Sequence, residues 1–180
     1  QDAAEMARPY TERFNAVMAS LAASVGDSDT APKLLSGTGK DDVHLLVVMT
    51  AERGLCGGFN ANIAKLAKNH AAQLKANGKT VKVLTVGKKG RDAMKRDLSD
   101  HFVGHVDLTD VKRIGYADAQ GIAKDVLARF DAEEFDVATI FYAKFVNVVS
   151  QTPTAQQIIP AAFDAPEEDA GASTLYDYEP

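Results

Sequence analysis

One stretch of the chain, VHLLVVMTAERGLCGGFNAN, constrains the fold more than any other. Its first eight residues, Val43 to Thr50, carry only His44 and Thr50 as polar side chains. A short run rich in Val and Leu is typical of a strand that is buried on both faces at the centre of a parallel sheet. A glycine-rich turn with the only cysteine follows, and then a helical pattern begins. Strand, turn and helix in this order predict an α/β fold.

The residues after this stretch repeat the alternation of strand and helix. Hydrophobic periodicity predicts helices over 60–75, 89–98 and 117–130 and strands over 81–86 and 101–106. Residues 135–151 and 155–161 predict an antiparallel hairpin, with its turn at Thr152, Pro153 and Thr154. We therefore predict a Rossmann-like, mostly parallel sheet that is flanked by helices and carries an added antiparallel hairpin.

The first 25 residues have the pattern of a coiled-coil helix. Apolar and small residues recur at alternating spacings of four and three: Ala3, Ala7, Tyr10, Phe14, Val17, Leu21 and Ser24. So narrow a seam needs one partner helix rather than a sheet face. We predict a coiled-coil helix at 1–25, a flexible linker at 26–42, the α/β domain at 43–163, and an acidic loop at 164–180 that leads into a further helix.

Charge is unevenly distributed along the chain. The net charge of −5 argues against general nucleic-acid binding, yet residues 79–96 hold seven basic residues and one acid, whereas residues 164–180 hold six acids and no base. Two solvated surfaces would explain this pattern. A basic patch facing an acidic partner or lipid headgroups would explain it too, and Lys88, Lys89 and Arg91 are its candidate contact residues.

The glycine-rich turn invites a search for catalytic chemistry. Cys56 at a helix N-terminus would suit an activated thiolate, which leaves a small cysteine-dependent hydrolase or transferase as an alternative. The turn lacks the spacing of a dinucleotide fingerprint or a P-loop, so a nucleotide-binding module is a weaker alternative. His101 and His105 have no evident third ligand for a metal. The simpler interpretation is a small buried residue at a tight joint, with no catalytic residue, cofactor or metal.

The stretch AERGLCGGFNANI resembles the signature of the gamma subunit of F-type ATP synthases. Ala51 and Glu52 stand where that signature usually has Ser or Thr and then Asp. Three further stretches are similar to the same family: ARPYTERF, FVNVVSQTPTAQQIIP and LYDYEP. The residues of the signature turn are Arg53, Gly54, Leu55, Cys56, Gly57 and Gly58.

The resemblance implies a rotor subunit that has no active site and needs no cofactor. In that family, N-terminal and C-terminal helices form an antiparallel coiled coil inside the alpha-beta hexamer, and the α/β body lies near the epsilon subunit and the c-ring. Tyr176, Tyr178 and Glu179 match the segment near epsilon and the c-ring. The chain is expected to lack the C-terminal helix and most of the N-terminal helix. The implied location is peripheral, on the cytoplasmic face of a bacterial inner membrane in preference to the mitochondrial matrix.

Overall fold

The computed structural model describes Leu34 and residues 36–50, 59–107, 116–147 and 150–160 of the chain. The elements in chain order are β1 (Val43–Met49), α1 (Phe59–Ala76), β2 (Thr80–Val86), α2 (Lys88–Leu98), β3 (Phe102–Val106), α3 (Tyr116–Asp131), β4 (Val137–Asn147) and β5 (Ser150–Ile159). A short 3₁₀ turn, Ser99–His101, joins α2 to β3. The predicted coiled-coil helix at 1–25, the signature turn and the acidic loop at 164–180 lie outside the described residues.

The strands form one sheet in the order β3-β2-β1-β4-β5. β1 pairs in parallel with β2 on one side and with β4 on the other, and β2 pairs in parallel with β3. β4 and β5 are antiparallel. The predicted fold class, a mostly parallel sheet with an added antiparallel hairpin, is confirmed.

Helices cover both faces of the sheet. Leu45, Val47 and Met49 of β1 belong to the core cluster that includes the apolar stripe of α3. Leu46 and Val48, which alternate with them, belong to a second cluster that contains residues of α1 and α2. Because successive strand residues point to opposite faces, this alternation is the expected result of burying both sides of a continuous apolar run.

The predicted turn of the hairpin was wrong. Thr152, Pro153 and Thr154 lie within β5, where they pair with Lys144, Ala143 and Tyr142 of β4. Proline and its polar neighbours are typical of turns, but an edge strand also accepts proline because its missing N–H can lie on the unpaired side. β5 is such a strand among the described residues, since it comes last in the sheet order.

Candidate functional site

The structure describes three of the predicted contact residues, and all three lie in the first turn of α2. Lys88 and Lys89 are exposed and Arg91 is half-buried. The other predicted site residues lie outside the described ranges: Tyr10, Phe14, Val17 and Leu21 of the seam, Arg53, Gly54, Leu55, Cys56, Gly57 and Gly58 of the signature turn, and Tyr176, Tyr178 and Glu179. What was predicted for those residues stays a prediction.

α2 is a surface helix with one apolar and one basic face. Gly90, Met94 and Leu98 are its buried residues. Its exposed basic residues are Lys88, Lys89, Lys95 and Arg96. The first turn of this helix holds no acidic residue. Lysines at the positive end of a helix dipole are unfavourable for the helix itself, so helix stability does not explain Lys88 and Lys89, whereas Lys95 and Arg96 in the last turn are favourably placed.

The acids near the basic face of α2 neutralise little of it. The Arg91 Nε lies 3.9 Å from a carboxylate oxygen of Asp92, at the limit of an ion pair. Asp97 is engaged elsewhere, since Lys68 of α1 lies 3.3 Å from its carboxylate. Exposed pairs of this kind contribute little to stability. The face therefore presents a net positive charge to any partner.

A buried threonine fixes the beginning of α2 to the central strand. Thr50, which follows β1, accepts a hydrogen bond at Oγ1 from the backbone N–H of Gly90 at 2.7 Å. Its own N–H donates to the carbonyl of Val86 at 2.8 Å. Gly87, with φ 96°, lies so close that an added Cβ would be 2.1 Å from the Thr50 carbonyl oxygen. The beginning of α2 is thus held against the end of the central strand, and its basic face points away from the sheet.

A second buried polar residue holds the segment that leads into β1. The Asp136 carboxylate accepts hydrogen bonds from the backbone N–H groups of Asp42 at 3.1 Å and Val43 at 3.0 Å. Its other oxygen accepts from the Thr38 hydroxyl at 2.9 Å. Burial alone would raise the pKa of Asp136, but these hydrogen bonds and the positive charge of Lys40 hold it below its ordinary value. The carboxylate is therefore charged at neutral pH.

Segments that are distant in sequence pack together beside Asp136. Leu34 is 3% exposed and belongs to the same core cluster as Ile159 at the end of β5. An added Cβ on Gly37 would lie 3.3 Å from Cγ of Pro160. We call this contact region the linker joint: Leu34, Gly37, Thr38, Asp42, Asp136, Ile159 and Pro160. At the linker joint, the chain that enters the body lies against the chain that leaves β5.

Sequence reasoning missed the linker joint. One signal was available in the sequence: in FDVATIF, an acid comes directly before an apolar strand. A side chain at that position can reach the start of a neighbouring strand. The partner segment was predicted as a flexible linker because of its Gly, Ser, Thr and Asp content. The described part of that segment is instead hydrogen-bonded to the body.

A small polar cluster lies near the start of β1. The Asp41 carboxylate contacts His44 Nε2, and Lys79 Nζ lies 3.4 Å from its other oxygen. His44 Nδ1 is buried and has no hydrogen-bond partner among the described residues. Burial lowers the pKa of His70, whose ring packs edge-on against Phe141, and the charge of His44 lowers it further. Among the described residues, no Ser or Cys side chain belongs to this cluster.

Two absences hold for the described part of the chain. No group of three or more His, Cys, Asp or Glu side chains in those ranges is placed to hold a metal ion. Within the same ranges, no helix combines the length and the hydropathy that crossing a bilayer requires.

The fold and the two anchored regions define a class: a doubly wound α/β body with a basic surface on α2 and a fixed contact between the segment before β1 and the end of β5. The whole chain, residues 1–180, matches the family model described as ATP synthase. The chain belongs to the ATP synthase family. This confirms the family that the sequence motifs indicated.

Curated relatives of the chain are gamma chains. The chain is 75% identical over 180 residues to the ATP synthase gamma chain of Roseobacter denitrificans and 76% identical to that of Ruegeria sp.. These matches cover 100% of this chain and 62% of each relative, so the chain spans less than two thirds of their length.

A solved structure has the same fold. A chain from the central stalk and c-ring of the Tetrahymena thermophila mitochondrial ATP synthase superposes with a TM-score of 0.59. The match covers 91% of this chain and 88% of that chain at 21% identity. At that identity the likeness concerns the fold alone.

Proposed function

We propose that the chain is the body of a noncatalytic central-stalk gamma subunit in a rotary, proton-translocating ATP synthase. It transmits torque between the membrane c-ring and the alpha-beta catalytic hexamer, and so serves ATP synthesis and proton transport without an active site or cofactor of its own. The names of its relatives, ATP synthase gamma chain, support this role.

The observation that carries the proposal is the linker joint. Leu34 and Gly37 precede β1, Ile159 ends β5 and Pro160 follows it, and the two segments pack together. An antiparallel coiled coil requires both of its helices to leave the body at one place. The linker joint therefore supports a shaft made from the helix at 1–25 and a helix beyond residue 180.

The partners in this proposal are the epsilon subunit, the c-ring, and the alpha and beta subunits. Tyr176, Tyr178 and Glu179 are the proposed contacts with epsilon and the c-ring. The basic face of α2, with Lys88, Lys89 and Arg91, is proposed to face the polar loops of the c-ring or anionic lipid, because neighbouring acids neutralise only a small part of its charge. The subunit would lie peripherally on the cytoplasmic face of the membrane.

The overall proposal is tested by replacement. An ATP synthase whose gamma chain carries these 180 residues in place of its own matching region should assemble with epsilon and with the alpha-beta hexamer, and it should synthesise ATP. A complex that assembles but neither synthesises ATP nor pumps protons contradicts the proposal.

The role of the basic face is tested by charge reversal. Lys88→Glu with Lys89→Glu is compared with Lys65→Glu and Lys124→Glu, two exposed lysines on α1 and α3. Since exposed ion pairs contribute up to about 1 kcal/mol each, the first variant should weaken attachment to the membrane sector by roughly tenfold. The measurement is ATP-driven proton pumping by reconstituted complexes at two salt concentrations, with the larger deficit at low salt. Equal pumping by the two variants would contradict this role.

A further inference from the structure

We propose that Asp136 is a positioning residue for torque transfer, because its carboxylate fixes the segment before β1 to the body through which the rotor turns. This inference rests on the proposed function, since it concerns how force passes through the same subunit. It assigns a role to a side chain that lies away from the signature turn and from the basic face of α2.

The Asp136 carboxylate accepts three hydrogen bonds from the segment that leads into β1. One oxygen accepts from two successive backbone N–H groups, those of Asp42 and Val43. The other oxygen accepts from the Thr38 hydroxyl. In addition, the backbone N–H of Asp136 donates to the Val43 carbonyl at 2.8 Å. Hydrogen bonds to a charged acceptor are stronger and shorter than neutral ones, so this attachment is stiff.

The attachment extends to residues that the sheet does not hold. β1 is already paired with β2 from Val43 onward and with β4 from His44 onward. Thr38 precedes the strand and lies in a tight turn, in which the Lys40 N–H donates to the Thr38 hydroxyl at 3.1 Å and Gly39 has φ 87°. The bond from Thr38 to Asp136 therefore ties this turn, and not only the strand, to the start of β4.

Partial burial shields this attachment from water. Thr38 and Val43 are half-buried and Asp42 is exposed, and Asp136 itself is 9% exposed. Gly37 packs on Pro160 beside it. Any twist applied to the segment before Thr38 must either strain these bonds or turn the whole sheet. The geometry favours turning the sheet, which is what a rotor body must do.

Three variants separate this role from simple stabilisation. Asp136→Ala removes every side-chain bond of the attachment. Asp136→Asn keeps one acceptor oxygen for the backbone donors and loses the charge, and Thr38→Val removes only the hydroxyl. Glu133→Gln, at an exposed acid three residues before Asp136, is the matched control.

The measurement is the torsional stiffness of the rotor in assembled ATP synthase that carries this chain. The head is immobilised, and the angular fluctuation of a bead on the c-ring is recorded; the ratio of protons pumped to ATP hydrolysed is measured in parallel. We expect the angular distribution to broaden most in Asp136→Ala, less in Asp136→Asn and Thr38→Val, and not in Glu133→Gln. The pumping ratio should fall in the same order.

The possible outcomes are distinct. Stiffness and pumping ratio equal to wild type in all assembled variants, with only a lower thermal stability, would assign Asp136 a purely structural role and overturn the inference. If Asp136→Ala does not assemble, the two milder variants decide the question by the same criteria. If the complex with the unchanged chain assembles but does not rotate, the proposed function fails instead.

Discussion

At the residue scale, Asp136 shows how this body stabilises a buried charge. An isolated carboxylate in a protein interior is costly unless its oxygens accept hydrogen bonds. Here the Val43 and Asp42 amides and the Thr38 hydroxyl supply those bonds. Thr85, which is fully buried, is stabilised in the same way because its hydroxyl lies 2.6 Å from His105 Nδ1. Buried polar residues in the body thus connect segments that are far apart in sequence.

The lowered pKa of Asp136 gives a prediction for acid stability. Because the carboxylate is favoured in the folded chain, its contribution is complete above the unfolded pKa, about 3.9, and is lost as pH falls through the lower folded pKa. Asp136→Asn should therefore reduce the free energy of unfolding at pH 7, and the difference from wild type should shrink as the pH falls below about 4. Urea unfolding of the purified chain at several pH values measures this.

The control for acid stability is Glu133→Gln, which removes an exposed acid from the same region. Its difference from wild type should be small at neutral pH. A difference between Asp136→Asn and wild type that stays constant from neutral to acid pH would contradict the prediction.

At the element scale, the contact between β1 and α2 depends on a glycine. Gly87 alone connects β2 to α2. Its φ of 96° is a backbone conformation that residues with a side chain disfavour. It also packs directly against the backbone of Thr50, which in turn binds the Gly90 N–H. The orientation of the basic helix is therefore set by a strand end, a glycine and a hydroxyl together.

Two alanine substitutions separate the effects of steric overlap and of backbone strain on the stability of the body. Gly87→Ala adds a Cβ that would lie 2.1 Å from the Thr50 carbonyl oxygen, whereas Gly78→Ala, at φ 79°, adds one into open space. We expect Gly87→Ala to destabilise the body by about 4 kcal/mol, from backbone strain plus overpacking. Gly78→Ala should cost about 1 kcal/mol from strain alone.

Thermal and urea unfolding measure both alanine variants. Similar destabilisation by the two substitutions would show that the close packing of Gly87 on Thr50 does not exist in solution.

At the scale of the whole molecule, the sheet is organised around β1. Leu46, Val47 and Val48 are fully buried, and parallel strands flank them on both sides. Among the described residues, β1 contributes to two apolar clusters, one with α3 and one with α1 and α2. Opening β1 therefore requires disrupting both clusters.

Hydrogen exchange should report this organisation. Amides of β1 from Leu45 to Val48 should exchange only through global unfolding, and those of Gln156 and Gln157 in the edge strand β5 should exchange much faster through local opening. Mass spectrometry of peptides from the two strands measures the difference. Equal protection of β1 and β5 would contradict a hierarchy centred on β1.

The sequence by itself determined most of the described elements, the fold class and the family. The continuous apolar run at β1 is encoded locally, because burial on both faces requires apolar residues at every position. The helical stripe of α3 is local too, since Ile122, Val126 and Phe130 recur at helical spacing. The family followed from AERGLCGGFNANI and three further motifs, and the comparisons confirmed it.

The tertiary structure alone decided where distant polar groups meet. Asp136 binds Thr38, 98 residues away, and Thr50 binds Gly90, 40 residues away. Local hydrophobic periodicity cannot predict contacts over such separations. Pro153 is tolerated in a strand because β5 is last in the sheet order of the described residues. The sequence around Pro153 does not reveal that edge position. The physical reason is common to all three cases: periodicity encodes which side of an element is buried, whereas the partner of a polar group or an edge depends on how the elements are arranged in space.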